Sequence, residues 1–264
     1  MKRAILLTGL LSLLACDEDK RKAELLAKTA PEAGAVAQPV VSAAPSAAPS
    51  AVAKAPRVCP TGDEVSIADP DVEAQIRGNA KVKKEPGTPL TSRDLVQITS
   101  LRVNAKKGQP LAEIDPCLFP KLTQLKFLYL PGGTYSDLSP LAGLNRLEGL
   151  FFPDSEVEDL RPLANLKLLD QIGMPHTHVR DLATIGGLAN LTELTLDDTQ
   201  VSDLSPLAAC TKLMNLSIKN TSVKDVSPLK GLKSLKKLNL AGTAVENLDT
   251  LAPLRASGLK ITQN

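Results

Sequence analysis

Apolar positions in the second half of the chain repeat on two scales. Leucine stands at 125, 147, 169, 191, 213 and 235, each 22 residues after the last. Inside each interval runs a short apolar–polar alternation such as Leu194-Thr195-Leu196, then a V-x-D-L-x-P-L-x-x-L segment. Aligning the copies gives one column of Leu128, Leu150, Ile172, Leu194, Leu216 and Leu238. A second column reads Leu130, Phe152, Met174, Leu196, Ile218 and Leu240. The two columns flank a single residue, so both face one side of a short strand. A fixed period in the twenties marks a solenoid: each copy leaves an apolar face that only its neighbours can cover.

Ahead of the repeats the pattern predicts a small helical cap over 59–100, with the solenoid proper at 101–264. Asp69-Pro70 predicts a helix start, with an N-cap aspartate, proline at the first position and Val72 and Ile76 on one face. Thr91 and Asp94 have capping-box spacing before a second short helix around residues 92–97. The run ITSLRV then begins the first strand. From Leu101-Arg102-Val103 to Leu128-Tyr129-Leu130 is 27 residues, so the first coil carries an excess that must bulge. Cys117 lies in that excess and Cys59 just before the cap helix.

The N-terminus reads as an address. Lys2 and Arg3 precede a 12-residue apolar run, Ala4 to Ala15, too short to cross a bilayer as a helix, so 1–15 is expected to be an export signal. Leu13-Leu14-Ala15-Cys16 resembles the lipobox of bacterial lipoproteins. That resemblance implies cleavage before Cys16, acylation of its sulfur and anchoring to a lipid bilayer. Residues 16–58 are then the lipidated cysteine and an Ala/Pro/Ser-rich tether, whose composition predicts disorder. In an exported chain Cys59–Cys117 is the natural disulfide, tying the cap to the first coil.

The repeat LxxLxLxxTxVxDLxPL resembles the bacterial leucine-rich repeat of the internalin type over about residues 98–261. The fold class this implies is an α/β repeat: a leucine-rich-repeat solenoid with parallel strands on the concave face and short 3₁₀ or irregular convex segments. The pattern DPDVEAQIR…LTSRDLVQITSL resembles the N-terminal cap of the same family. One departure is the ladder position after each strand, where the family has asparagine and this chain has Gly133, Ser155, Thr177, Thr199, Thr221 and Thr243. Another is the end, where no C-terminal cap or further module follows the last strand, which is therefore expected to be an open edge.

Composition narrows the function. A formal net charge of +2 and six aromatics in 264 residues, with no tryptophan, argue against a nucleic-acid binder. No serine or cysteine has a partnered base in register and no Gly-rich phosphate loop occurs, so no catalysis and no cofactor are expected. The carboxylate column Asp137, Asp159, Asp181, Asp203 and Asp225 continues as Asn247, which fits turn capping rather than metal binding. Cys210 replaces a core leucine. His176 is flanked one period away by Asp154 and Asp198, the one row that could suggest a metal. On the outward face of the strands, Phe127, Tyr129 and Phe151 cluster, with Glu193, Asp197 and Asp198 beyond them. Aromatics gathered on a surface are what a binding hot spot looks like. The sequence thus predicts a protein partner on the concave face, contacted by these aromatics with Asp154, His176 and the acidic residues as a polar rim. It also predicts a monomer, with the C-terminal edge as the place where copies would pair.

Overall fold

The computed structural model describes residues 58–79, 81–104 and 109–263. The expected export signal, Cys16 and almost all of the tether lie outside them.

Eight three-residue strands form a single parallel sheet in chain order. They are β1 Ser100–Arg102, β2 Phe127–Tyr129, β3 Gly149–Phe151, β4 Gln171–Gly173, β5 Glu193–Thr195, β6 Asn215–Ser217, β7 Lys237–Asn239 and β8 Lys260–Thr262. From β2 to β7 the register steps by the period read from the leucines: Leu128 pairs with Leu150, Leu150 with Ile172, and so on to Leu216 with Leu238. The bulge is where the spacing placed it, since Leu101 pairs with Leu128. Later in the same coil Leu111 forms a parallel bridge to Gly133. A Cβ at Gly133 would overlap the Leu111 carbonyl, so only glycine fits this ladder position.

Both inward columns are buried, from Leu128 at 0% to Leu130 at 3% exposure. Behind the sheet the chain returns through short 3₁₀ helices such as Ser139–Leu141, Arg161–Leu163 and Ser205–Ala209, each with proline in its first turn. Where Thr184 replaces that proline, the segment Ala183–Gly186 is a turn of α-helix. Each column aspartate accepts a hydrogen bond from the backbone N–H two residues on, as Asp137 does from Ser139 (2.7 Å) and Asp203 from Ser205 (2.8 Å). These Asx turns fix the corner into the convex segment. Threonines replace the family asparagine on the ladder by donating to the carbonyl three residues back: Thr177 to Met174 (2.9 Å), Thr199 to Leu196 (2.7 Å) and Thr221 to Ile218 (2.7 Å).

The cap forms for the reasons its sequence offered. Helix α1, Pro70–Gly78, starts at Asp69, whose Oδ1 accepts from the N–H of Asp71 at 2.8 Å, and it buries Val72 and Ile76. Helix α2, Ser92–Leu95, begins with the Thr91 N–H donating to Asp94 Oδ2 at 2.8 Å. Cys59 and Cys117 form a disulfide, with their Cα atoms 5.3 Å apart. Gln75 of α1 clamps Asn104, two residues past the first strand, accepting from the Asn104 N–H (2.7 Å) and donating to the Asn104 carbonyl (3.1 Å).

Candidate functional site

The open face of the sheet carries two outward columns. The first runs Phe127, Gly149, Gln171, Glu193, Asn215 and Lys237; the second runs Arg102, Tyr129, Phe151, Gly173, Thr195, Ser217 and Asn239. Parallel strands in register hold these side chains one rung apart, about 4.8 Å. That spacing suits stacked rings. Tyr129 and Phe151 lie with centroids 4.6 Å apart and planes within 4°. The Arg102 guanidinium caps the stack, its carbon 4.4 Å from the Tyr129 centroid. Cation, phenol and phenyl thus form one ladder across β1, β2 and β3.

Two glycines seat the rings. A Cβ at Gly149 would lie 2.7 Å from Phe127 Cδ1, and one at Gly173 would lie 2.7 Å from Phe151 Cδ1. Both glycines are buried under the rings, which are themselves half-buried. The sequence places the three aromatics together on the exposed face, but does not show how their rings are seated. They are a preformed surface, leaning over the next rung and held by their neighbours.

The acidic residues beyond the ladder are less free than their spacing implied. Glu193 Oε1 accepts from Asn215 Nδ2 at 2.6 Å. Asp197 Oδ1 accepts from the Ser217 hydroxyl at 2.6 Å and the Lys219 N–H at 2.9 Å. Asp198 Oδ1 accepts from Asn220 Nδ2 at 2.8 Å. Each carboxylate braces the following rung and presents its remaining lone pairs outward.

The row at Asp154, His176 and Asp198 has a backbone explanation that the sequence reading missed. These residues have φ of 50°, 55° and 56°, and the column continues with Asn220 at 52° and Gly242 at 71°. A left-handed turn recurs at this point of successive coils, and Asp, Asn, His and Gly are the residues that tolerate it. His176 Nε2 lies 3.8 Å from Asp198 Oδ2. Among the described residues no group of three or more His, Cys, Asp or Glu is placed to hold a metal ion. The signal was in the column all along: its residue types are those of a positive-φ turn.

Asp170, just before β4, was not singled out by the sequence. Its Oδ1 is buried and finds no donor among the described residues. Burial, with the charges of Glu148 and Glu193 nearby, holds its carboxyl above the usual range.

No protein-family model matches the sequence, and no curated protein does. Solved structures do. An internalin from Listeria monocytogenes superposes with a TM-score of 0.66 at 31% identity, over 74% of this chain and 55% of that one. The match therefore spans about half the length of that internalin. Internalin C2 from the same organism gives a TM-score of 0.61 at 24% identity, covering 74% of this chain and 93% of that one. A leucine-rich-repeat protein from Leptospira interrogans gives 0.50 at 18%, covering 64% of this chain and 50% of that one. The last two bear on fold alone. The 22-residue repeat, the single parallel sheet, the 3₁₀ returns and the likeness to the first of these internalins identify the repeats of this chain as leucine-rich repeats of the internalin type, stacked as a solenoid.

Proposed function

We propose that this chain is a lipid-anchored protein of the bacterial cell envelope that binds a protein partner on its concave face and catalyses no reaction. The observation that carries the reading is the Arg102–Tyr129–Phe151 ladder, stacked and half-exposed on a sheet face whose other outward side chains, Phe127 apart, are polar or absent. Rings ordered before binding lose little side-chain entropy on contact, which makes them efficient anchors. Phe127 lies alongside, and Asp154, His176, Glu193, Asp197 and Asp198 form the polar rim that surrounds such anchors. No helix among the described residues is long and apolar enough to cross a membrane. The anchoring in this reading rests on the Leu13-Leu14-Ala15-Cys16 motif and acylation of its cysteine. The test is affinity capture from envelope extracts with the wild type and Phe127→Ala/Phe151→Ala. Loss of one or more captured proteins with the double variant supports the reading; identical capture by both removes the aromatic face from it. Membrane fractionation of Cys16→Ser is the second arm, and undiminished membrane attachment would overturn the anchoring.

A further inference from the structure

In a parallel solenoid every strand enters from one flank and leaves by the other, so the repeats sort charge to two sides. The six stretches that lead into β2 to β7 are residues 121–126, 143–148, 165–170, 187–192, 209–214 and 231–236; they hold seven Lys or Arg and two carboxylates. The six that follow the same strands are residues 131–138, 153–160, 175–182, 197–204, 219–226 and 241–248; they hold eleven carboxylates and three Lys or Arg. The overall charge of +2 hides this division. The two-lysine rungs precede β2 and β7; Lys126 before β2 is paired with Glu148, whereas Lys233 and Lys236 before β7, with Lys212 one rung earlier, are all exposed. The strongest acidic rungs follow β3 and β5. Lys233, Lys236 and Glu158 make no ion pair with another described residue. Leu168, also on the cationic flank, is exposed at 48% and has Arg146 one rung before it and Asn190 one rung after.

We propose that the cationic flank docks the acidic flank of a second copy of this chain, so that solenoids assemble side by side. The occupant follows from complementarity of both sign and spacing. The same 22-residue unit builds the two flanks, so the cations of one copy and the carboxylates of the next repeat at the same interval of about 4.8 Å. Because the charged rungs lie at different heights, the contact is staggered. It joins two different surfaces, which makes it heterologous and able to continue from copy to copy. The concave faces stay uncovered and point the same way, so an array would present many aromatic ladders at once and gain avidity. This goes beyond binding on the concave face, and it puts self-association along the flanks rather than at the C-terminal edge.

The experiment mixes isotopically light and heavy copies of the full chain at low ionic strength and treats them with a carbodiimide, which joins a carboxylate to an amine only where the two touch. Expected are light–heavy products linking Lys233 or Lys236 to Glu156, Glu158, Asp159 or Asp203, the acidic-flank carboxylates outside the concave rim, lost at about 1 M salt, where screening reaches about 3 Å. Charge-reversed variants supply the control. Lys233→Glu/Lys236→Glu alone and Glu156→Lys/Glu158→Lys alone should each lose at least about tenfold in product, and mixing the two should restore it. Absence of light–heavy products from the wild type, products insensitive to either reversal, or no recovery on mixing would each overturn the proposal. So would a wild type that sediments as a monomer and binds an anionic polysaccharide through the same lysines.

Discussion

Removing the Cys59–Cys117 bridge with Cys59→Ala/Cys117→Ala tests how the cap holds the first rung of the binding ladder. The bonded residues are 58 apart in sequence. Releasing a loop of that length returns about 4 kcal/mol of chain entropy to the unfolded state. In a solenoid that loss is not shared evenly, because each coil contacts only its neighbours. It falls on the end where the cap sits. There Gln75 clamps Asn104, and Arg102 caps the Tyr129 ring. Hydrogen exchange should accelerate over the cap and β1, by up to about three orders of magnitude if the full entropy is expressed locally. Amides in the later coils, such as Leu196 donating to Ser217 at 2.8 Å, should exchange as in the wild type. Denaturant unfolding should show an earlier first phase. A variant with unchanged exchange across residues 64–103 would refute the claim that the bridge holds the cap and first rung in place.

Two further outcomes follow from particular side chains. Asp170 has a raised carboxyl pKa when folded, so its stabilising contribution is full below about pH 4 and is lost as pH rises through that raised value. At neutral pH its charge is a cost, and Asp170→Asn should raise the unfolding free energy at pH 7 by roughly 0.5 kcal/mol, the modest size set by solvent screening of a partly exposed group, with the gain shrinking toward pH 4; a loss of stability at pH 7 would sink this reading. At His176, with φ of 55°, His176→Gly should be tolerated within about 1 kcal/mol, whereas His176→Val should cost about 1–2 kcal/mol or more in thermal unfolding. If the glycine variant is as unstable as the valine variant, the imidazole rather than the backbone holds that turn.

The parts of this molecule that repeat were legible in its sequence, because repetition turns one local rule into a column. Leu128 through Leu238 announced the strands and their register, and Asp69 and Thr91 the two cap helices. The cysteine pairing followed from the expected export signal, with one cysteine just before the cap helix and the other in the first coil. What stayed hidden depends on contacts between rungs. Gly149 and Gly173 read as plain gaps in the outward columns; only the leaning rings of Phe127 and Phe151 show why no side chain fits there. The carboxylates of Glu193 and Asp197 looked unoccupied because their partners, Asn215 and Lys219, lie a full period away. The turn column at His176 was readable in principle, since Asp, His, Asp, Asn and Gly share a tolerance for positive φ. It was passed over because histidine between two aspartates suggests chemistry first.

The most direct measurement is a calorimetric titration of a partner captured by the wild type against the wild type, Phe151→Ala and Lys236→Glu. Phe151 stacks under Tyr129 and ends the ladder, so its truncation should weaken affinity by at least about 30-fold, the mark of a hot spot. Lys236, on the flank, should leave affinity within about twofold. Equal affinities for the wild type and Phe151→Ala would contradict recognition through the concave aromatic ladder.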